Sequence, residues 1–167
     1  VKDGRIALPR GLIQGQRIEL MLRRLLLSNG TETDFDQLPI PYRAVATDLL
    51  TGEKVVFSRG DLVMAMRASM SVPGVFAPAR IDGRLLVDGG VVDNVPIDEA
   101  RRLGAQRLIV SRVGSPLLTE EQLDSPLAVS QQMTYVLMRR VVEAQLATLG
   151  PEDVLVVPEL GDITSQD

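Results

Sequence analysis

The pattern of apolar and polar positions predicts helices alternating with strands along the chain. Apolar residues recur at helical spacing over residues 15–27 and, in the longest such stretch, over residues 126–149. The apolar stripe of the second helix is predicted to contain Val129, Met133, Val136 or Leu137, Val141 and Leu146. Runs rich in branched residues predict strands; these runs are RAVATDL, KVVFSRG, RLIVSRV and EDVLVVPEL.

The middle of the chain combines a short helix with a hairpin. Asp61 is placed to cap a helix over residues 62–70, which must end near Pro73. Asp82 and Gly83 form a predicted hairpin turn, after which the strand 85–87 runs into Asp88-Gly89-Gly90.

A further helix is predicted to begin about four residues after this tripeptide. Asn94 is its expected cap, Pro96 suits its first turn, and Gly104 follows its last turn. The buried strand predicted at 107–113 then completes the order strand, turn, helix, strand, which is typical of a parallel α/β architecture. We therefore expect an α/β fold.

Composition limits the chemistry. With 167 residues, 45% of them hydrophobic and 24% charged, the chain suits one globular domain or a large part of one. The net charge is −4 and the arginine pairs are dispersed, so we expect no nucleic-acid partner. No apolar run reaches the roughly 20 residues that span a bilayer.

Cysteine and histidine are both absent from the sequence. The first absence excludes a thiol nucleophile, and the second removes the usual general base and the commonest transition-metal ligand. Acid–base chemistry must use carboxylates, lysines or tyrosines, or groups outside this chain.

Asp88 is the carboxylate to weigh most carefully. At the end of a strand in an α/β sheet, its side chain would lie at the edge where ligands bind, and Gly89 and Gly90 would let the backbone turn without crowding what lies opposite. An ordinary turn with a local side-chain hydrogen bond explains the same tripeptide. Spacing alone favours the turn.

The segment RASMSVPGVFAPARIDGRLLVDGGVVDNVP, however, resembles a signature block of the patatin-like phospholipase family, and the similarity extends from about Tyr42 to Val113. The resemblance implies a patatin-like three-layer sandwich with a mainly parallel central sheet. It also implies a phospholipase A-type lipid acyl hydrolase that uses a serine–aspartate dyad and needs neither a metal nor a cofactor. Asp88 would be the dyad base, Gly89 and Gly90 would shape its turn, and Asn94 would match the Asn of the family's Asn-x-Pro.

The chain departs from the family in lacking the Gly-x-Ser-x-Gly elbow of the nucleophile and the glycine-rich oxyanion loop. Ser69 and Ser71 fall in the matched block, but capping or packing near the site is the expected role for both. We therefore expect residues 1–167 to be the C-terminal part of a single catalytic domain, inactive alone. Its partner would be the N-terminal part, which carries the serine.

Four apolar residues near the block, Met66, Met70, Val75 and Phe76, are candidates for an acyl-chain pocket, although core packing is the more frequent role. The expected substrate is a phospholipid or membrane surface, and a homo-oligomer stays open. Two alternatives remain: a lipid-binding or assembly module without catalysis, and a thioesterase or small-ester hydrolase. The sequence as a whole, including its last segment PEDVLVVPELGDITSQD, also resembles exported patatin-like domains fused to outer-membrane barrels. This resemblance favours a secreted or cell-surface location over a cytoplasmic one.

Overall fold

A computed structural model describes residues 15–26, 33–114 and 116–159, and the chain forms two compact units, Val1–Val92 and Asp93–Asp167. The elements that lie in the first unit are α1 (Gln16–Leu25), β1 (Ala44–Asp48), β2 (Lys54–Phe57), α2 (Leu62–Ser69), β3 (Ala79–Ile81) and β4 (Arg84–Asp88). The short helix α3 (Gly90–Asp93) spans the boundary. The second unit contains α4 (Ile97–Arg102), β5 (Ile109–Ser111), a 3₁₀ turn (Glu120–Gln122), α5 (Pro126–Leu146) and β6 (Val154–Val156).

The sheet of the first unit has the order β2-β1-β4-β3, and every pairing in it is antiparallel. The predicted mainly parallel sheet is therefore wrong for these four strands. The reason is that β1 with β2 and β3 with β4 are joined by short turns, which allow only antiparallel pairing. The pairing of β1 with β4 is antiparallel as well and brings Ala46 opposite Asp88.

The predicted turn at Asp82-Gly83 and the predicted cap at Asp61 are both confirmed. Asp82 and Gly83 both have positive φ, at 49° and 78°, and close the β3–β4 hairpin. Asp61 caps α2, since its carboxylate accepts a hydrogen bond from the Met64 N–H at 3.0 Å.

The core of the first unit lies between α2 and the sheet. All five residues of β1 are buried. Two apolar clusters form this core; they contain Phe35, Ala44, Leu62 and Ala65 in one and Ala46, Ala68, Ala79 and Leu86 in the other. Small alanines of α2 and β1 let the helix approach the strands closely. Leu86 lies two residues before Asp88 on β4, so its packing in the core fixes the end of this strand.

The second unit contains a parallel pairing, which agrees with the expected α/β class. β5 and β6 pair in parallel, with Val110 opposite Leu155, and the long helix α5 connects them. The core of this unit consists of Val95, Ile97, Leu108, Val110 and Val142. The predicted stripe of α5 is partly wrong, because Val129, Met133 and Leu137 are about half exposed while Val142 is buried.

The capping role predicted for Asn94 is also wrong. α4 begins at Ile97, with Pro96 at the cap position and no side-chain cap hydrogen bond. α3 ends at Asp93, and the Val95 N–H donates a hydrogen bond to the side-chain oxygen of Gln145 at 3.1 Å. Asn94 therefore lies in the bend between two helices and is exposed.

Among the described residues, no helix combines the length and apolar character needed to cross a membrane. The predicted first helix is present as α1, and residue 27 at its predicted end lies outside the described residues. The last predicted strand is shorter than expected and is limited to β6.

Truncation of Leu86 to alanine should destabilise the intact protein by about 2 to 5 kcal/mol, the usual cost of emptying a packed core site. Leu86 is 1% exposed, whereas Leu50 is 78% exposed and gives the matched control. Leu50→Ala should change the free energy of unfolding by no more than about 0.5 kcal/mol. Chemical denaturation measures both, and equal effects would contradict the packing described.

Candidate active site

Asp88 is the last residue of β4, and its backbone is held on both sides. Its N–H donates to the Ser71 carbonyl at 2.9 Å, and its own carbonyl accepts a hydrogen bond from the Thr47 hydroxyl at 2.9 Å. Ser71 is fully buried and Thr47 is 3% exposed. The strand end that presents the carboxylate is therefore fixed by buried neighbours.

The Asp88 carboxylate is half-buried and only partly satisfied. Its Oδ1 accepts a hydrogen bond from the Gly90 N–H at 2.7 Å, and no other described residue donates to it. No fully buried side-chain nitrogen or oxygen among the described residues lacks a partner, so Oδ2 keeps access to the surface. One oxygen is thus oriented and the other is open to accept a proton.

Burial raises the pKa of the Asp88 carboxyl above its ordinary value of 3.8, and the Gly90 N–H partly opposes this shift. Desolvation is the larger cause, because removal from water disfavours the charged form. A carboxylate with a raised pKa is a stronger base than a solvated one. This is the property that a general base working near neutral pH requires.

Gly89 is needed because of a close backbone approach. A Cβ at this position would lie 2.3 Å from the Val45 carbonyl oxygen and 2.6 Å from the carbonyl carbon. Neither Gly89 nor Gly90 has positive φ. Gly89 therefore avoids crowding, as the sequence predicts. The turn does not need the left-handed backbone conformation that glycine allows.

The other predicted site residues are less well placed for a shared role. Met66 packs against the core cluster of Phe35, as the core alternative expects, and Met70 is 40% exposed at the end of α2. Phe76 lies under the guanidinium of Arg67, and Val75 is half-buried. The acyl pocket stays a prediction, as does the site-shaping role of Asn94.

Sequence reasoning missed Arg67 and Thr47. Arg67 is 6% exposed and is hydrogen-bonded to Ser71, which in turn holds Asp88. The available signal was the position of Arg67 one helical turn after Val63, on the face of α2 that is buried. Ser71 has the packing role that the sequence favoured.

Within residues 15–26, 33–114 and 116–159, no group of three or more histidine, cysteine, aspartate or glutamate side chains could hold a metal ion.

Comparison with known protein families gives a match over more than half of the chain. The patatin-like phospholipase family model matches residues 2–101, which is 100 of the 167 residues. An NTE family protein of Mycobacterium tuberculosis is 61% identical over 62 residues, 37% of this chain. Patatin-like phospholipase domain-containing protein 7 of Mus musculus is 40% identical over 86 residues, and a patatin-like phospholipase domain-containing protein of Caenorhabditis elegans is 45% identical over 82 residues, covering 50% and 48% of this chain.

These findings agree with an α/β fold. The chain belongs to the patatin-like phospholipase family. The aligned region spans 17% of the length of the M. tuberculosis protein and 6% of each of the two animal proteins.

Gly89→Ala should destabilise the intact protein by about 1 to 3 kcal/mol, the usual cost of overpacking, because the new methyl group meets the Val45 carbonyl. Gly114→Ala is the matched control, since a Cβ there meets nothing within 4 Å. Denaturant unfolding of both variants measures the effect. Equal stability of the two variants would contradict the close approach.

Asp88→Asn should make the folded protein more stable at neutral pH. A carboxyl whose folded-state pKa is raised gives most stability below its unfolded pKa, near 3.8, and loses that stability as pH rises through the folded-state pKa. Asparagine keeps an oxygen for the Gly90 N–H without the desolvation cost. Unfolding at pH values above and below this range should show a gain only at the higher pH, and a neutral-pH loss would contradict the raised pKa.

Proposed function

We propose that this chain supplies the general base of a lipid acyl hydrolase of phospholipase A type, with Asp88 as the base. The single observation that carries the proposal is the Asp88 carboxylate itself: half-buried, with a raised pKa and one open oxygen. Membership of the patatin-like phospholipase family supplies the reaction class.

In the proposed reaction, a serine hydroxyl of the same domain attacks the ester carbonyl, and Asp88 accepts its proton through the open oxygen. The tetrahedral intermediate collapses, the alcohol leaves with the proton from Asp88, and the acyl group remains on the serine. Water then attacks the acyl-enzyme and gives a proton to Asp88; the bond between the acyl group and the serine breaks, the fatty acid leaves, and the serine oxygen takes the proton back from Asp88. The Gly90 N–H keeps the carboxylate oriented through both half-reactions.

The nucleophile is proposed to lie in the N-terminal part of the same domain, because no Gly-x-Ser-x-Gly occurs in the 167 residues. The second unit supports the idea that further residues pack here. Ile109 of β5 is 81% exposed and Val154 of β6 is 50% exposed. Parallel strands normally have both faces covered, and two strands alone are marginal.

We accordingly propose that residues 1–167 are the C-terminal part of a single patatin-like catalytic domain, with the three-layer fold of that family completed by the N-terminal part. The proposed substrate is a phospholipid at a membrane surface. An exported location stays a prediction that rests on the sequence resemblance, and a homo-oligomer stays open.

Asp88→Asn in the intact protein should lower kcat for phospholipid hydrolysis by about 10² to 10⁴-fold, the range that positioned general bases contribute. Hydrolysis of phosphatidylcholine vesicles, followed by fatty-acid release, is the measurement. Asp82→Asn is the matched control: Asp82 is exposed in the β3–β4 turn, and asparagine tolerates its positive φ.

Asp88→Asn with near-wild-type hydrolysis would contradict the assignment of the base. An intact wild-type protein that binds the vesicles but releases no fatty acid would instead favour a lipid-binding module. Turnover of a thioester or a short-chain ester without turnover of phospholipid would keep the mechanism and change the substrate.

A further inference from the structure

Arg67 is a charged side chain buried in the first unit, on the face of α2 that packs toward the core. It is 6% exposed, and no carboxylate of the described residues lies within 4.0 Å of it. Burial lowers the pKa of the Arg67 guanidinium, and only the more distant charge of Glu19 opposes this. A buried charge is costly unless directed contacts satisfy it, so packing alone gives no reason for an arginine here.

The guanidinium is held by directed contacts on several sides. Its Nη2 donates to the Ala77 carbonyl at 2.9 Å, and its Cζ lies 5.4 Å from the centre of the Phe76 ring. Gly15 lies against it closely, since a Cβ there would come within 2.2 Å of Nε. Arg67 therefore has a fixed orientation.

The remaining directed contact leads to Asp88. Arg67 Nη1 donates to the Ser71 hydroxyl, and this hydroxyl donates to the Arg67 backbone carbonyl at 2.8 Å. Ser71 is fully buried, and its own carbonyl accepts the Asp88 N–H at 2.9 Å. These two hydrogen bonds, together with one from the Ser71 N–H to the Ala68 carbonyl at 3.1 Å, fix Ser71 to α2, and a fourth fixes the end of β4 to Ser71.

We propose that Arg67 is a positioning residue: it holds Ser71, whose backbone carbonyl holds the backbone of Asp88. This inference rests on the proposed function, because it assigns Arg67 to the base of that reaction. Arg67 does not contact the Asp88 carboxylate and takes no proton. It acts through the placement of the strand end, where small displacements of a reacting group cost large factors in rate.

The test is a double-mutant comparison in the intact protein. Arg67→Met, Ser71→Ala and the double variant are assayed with p-nitrophenyl butyrate, and kcat is calculated per folded molecule after circular dichroism and thermal unfolding. Each single variant should lose about ten- to hundredfold in kcat with KM unchanged. The double variant should be no slower than the slower single variant, because both changes break the same connection.

Arg80→Met is the matched control, because Arg80 is exposed on β3 of the same sheet and should keep wild-type kcat. If Arg67→Met does not fold, Arg67→Lys takes its place. Lysine keeps the charge but cannot hold Ser71 and Ala77 together in the geometry of a guanidinium, so kcat should still fall with KM unchanged.

Wild-type kcat in the folded Arg67 and Ser71 variants would overturn the inference. So would a rise in KM at constant kcat, or losses that multiply in the double variant. Asp88→Asn in the same assay distinguishes a failure of the proposed function from a failure of the positioning role. If Asp88→Asn is active, the proposed function fails; if it is inactive while the Arg67 variants keep wild-type kcat, only the positioning role fails.

Discussion

The chemistry proposed for this site depends on the removal of the Asp88 carboxylate from water. A solvated aspartate is too weak a base for an alcohol, and an aspartate buried without any donor would not stay in a defined place. The structure lies between these limits. Burial raises the pKa, one hydrogen bond from the Gly90 N–H orients the group, and one oxygen remains open.

Placing a carboxylate in this way requires the backbone around it to be rigid. The antiparallel pairing that brings Ala46 opposite Asp88 sets the depth of the strand end, and the contact of Gly89 with Val45 leaves room for no side chain. Thr47 and Ser71 hold the carbonyl and the N–H of Asp88. The cost of the buried charge is thus offset by core packing in β1, β4 and α2, in keeping with sites where stability is given up for chemistry.

The sequence predicted what local chemistry determines. The Asp82-Gly83 turn, the Asp61 cap and the course of α5 all follow from neighbouring residues, and the structure confirms them. Asp88 could be singled out because it ends a strand ahead of two glycines. The structure contains the local turn hydrogen bond that the alternative expects, and the catalytic role stays a proposal that draws on the ordered block around it. The pairing of β4 with β1 joins residues about forty positions apart, so no local pattern predicts it, and the expectation of a mainly parallel sheet failed there. Arg67 was missed for the same reason, since its role depends on the path of the chain through Ser71 to Asp88.

The most direct test of this account is the titration of the Asp88 carboxyl carbon in the intact protein. Carbon-13 NMR follows the side-chain carboxyl signals across the acidic range, and the resonance missing from Asp88→Asn identifies the group. The buried Asp88 carboxyl should titrate with a midpoint clearly above the ordinary value of 3.8. A midpoint at or below that value would show that the carboxylate is well solvated or strongly stabilised as the anion, and it would contradict the assignment of Asp88 as a buried general base.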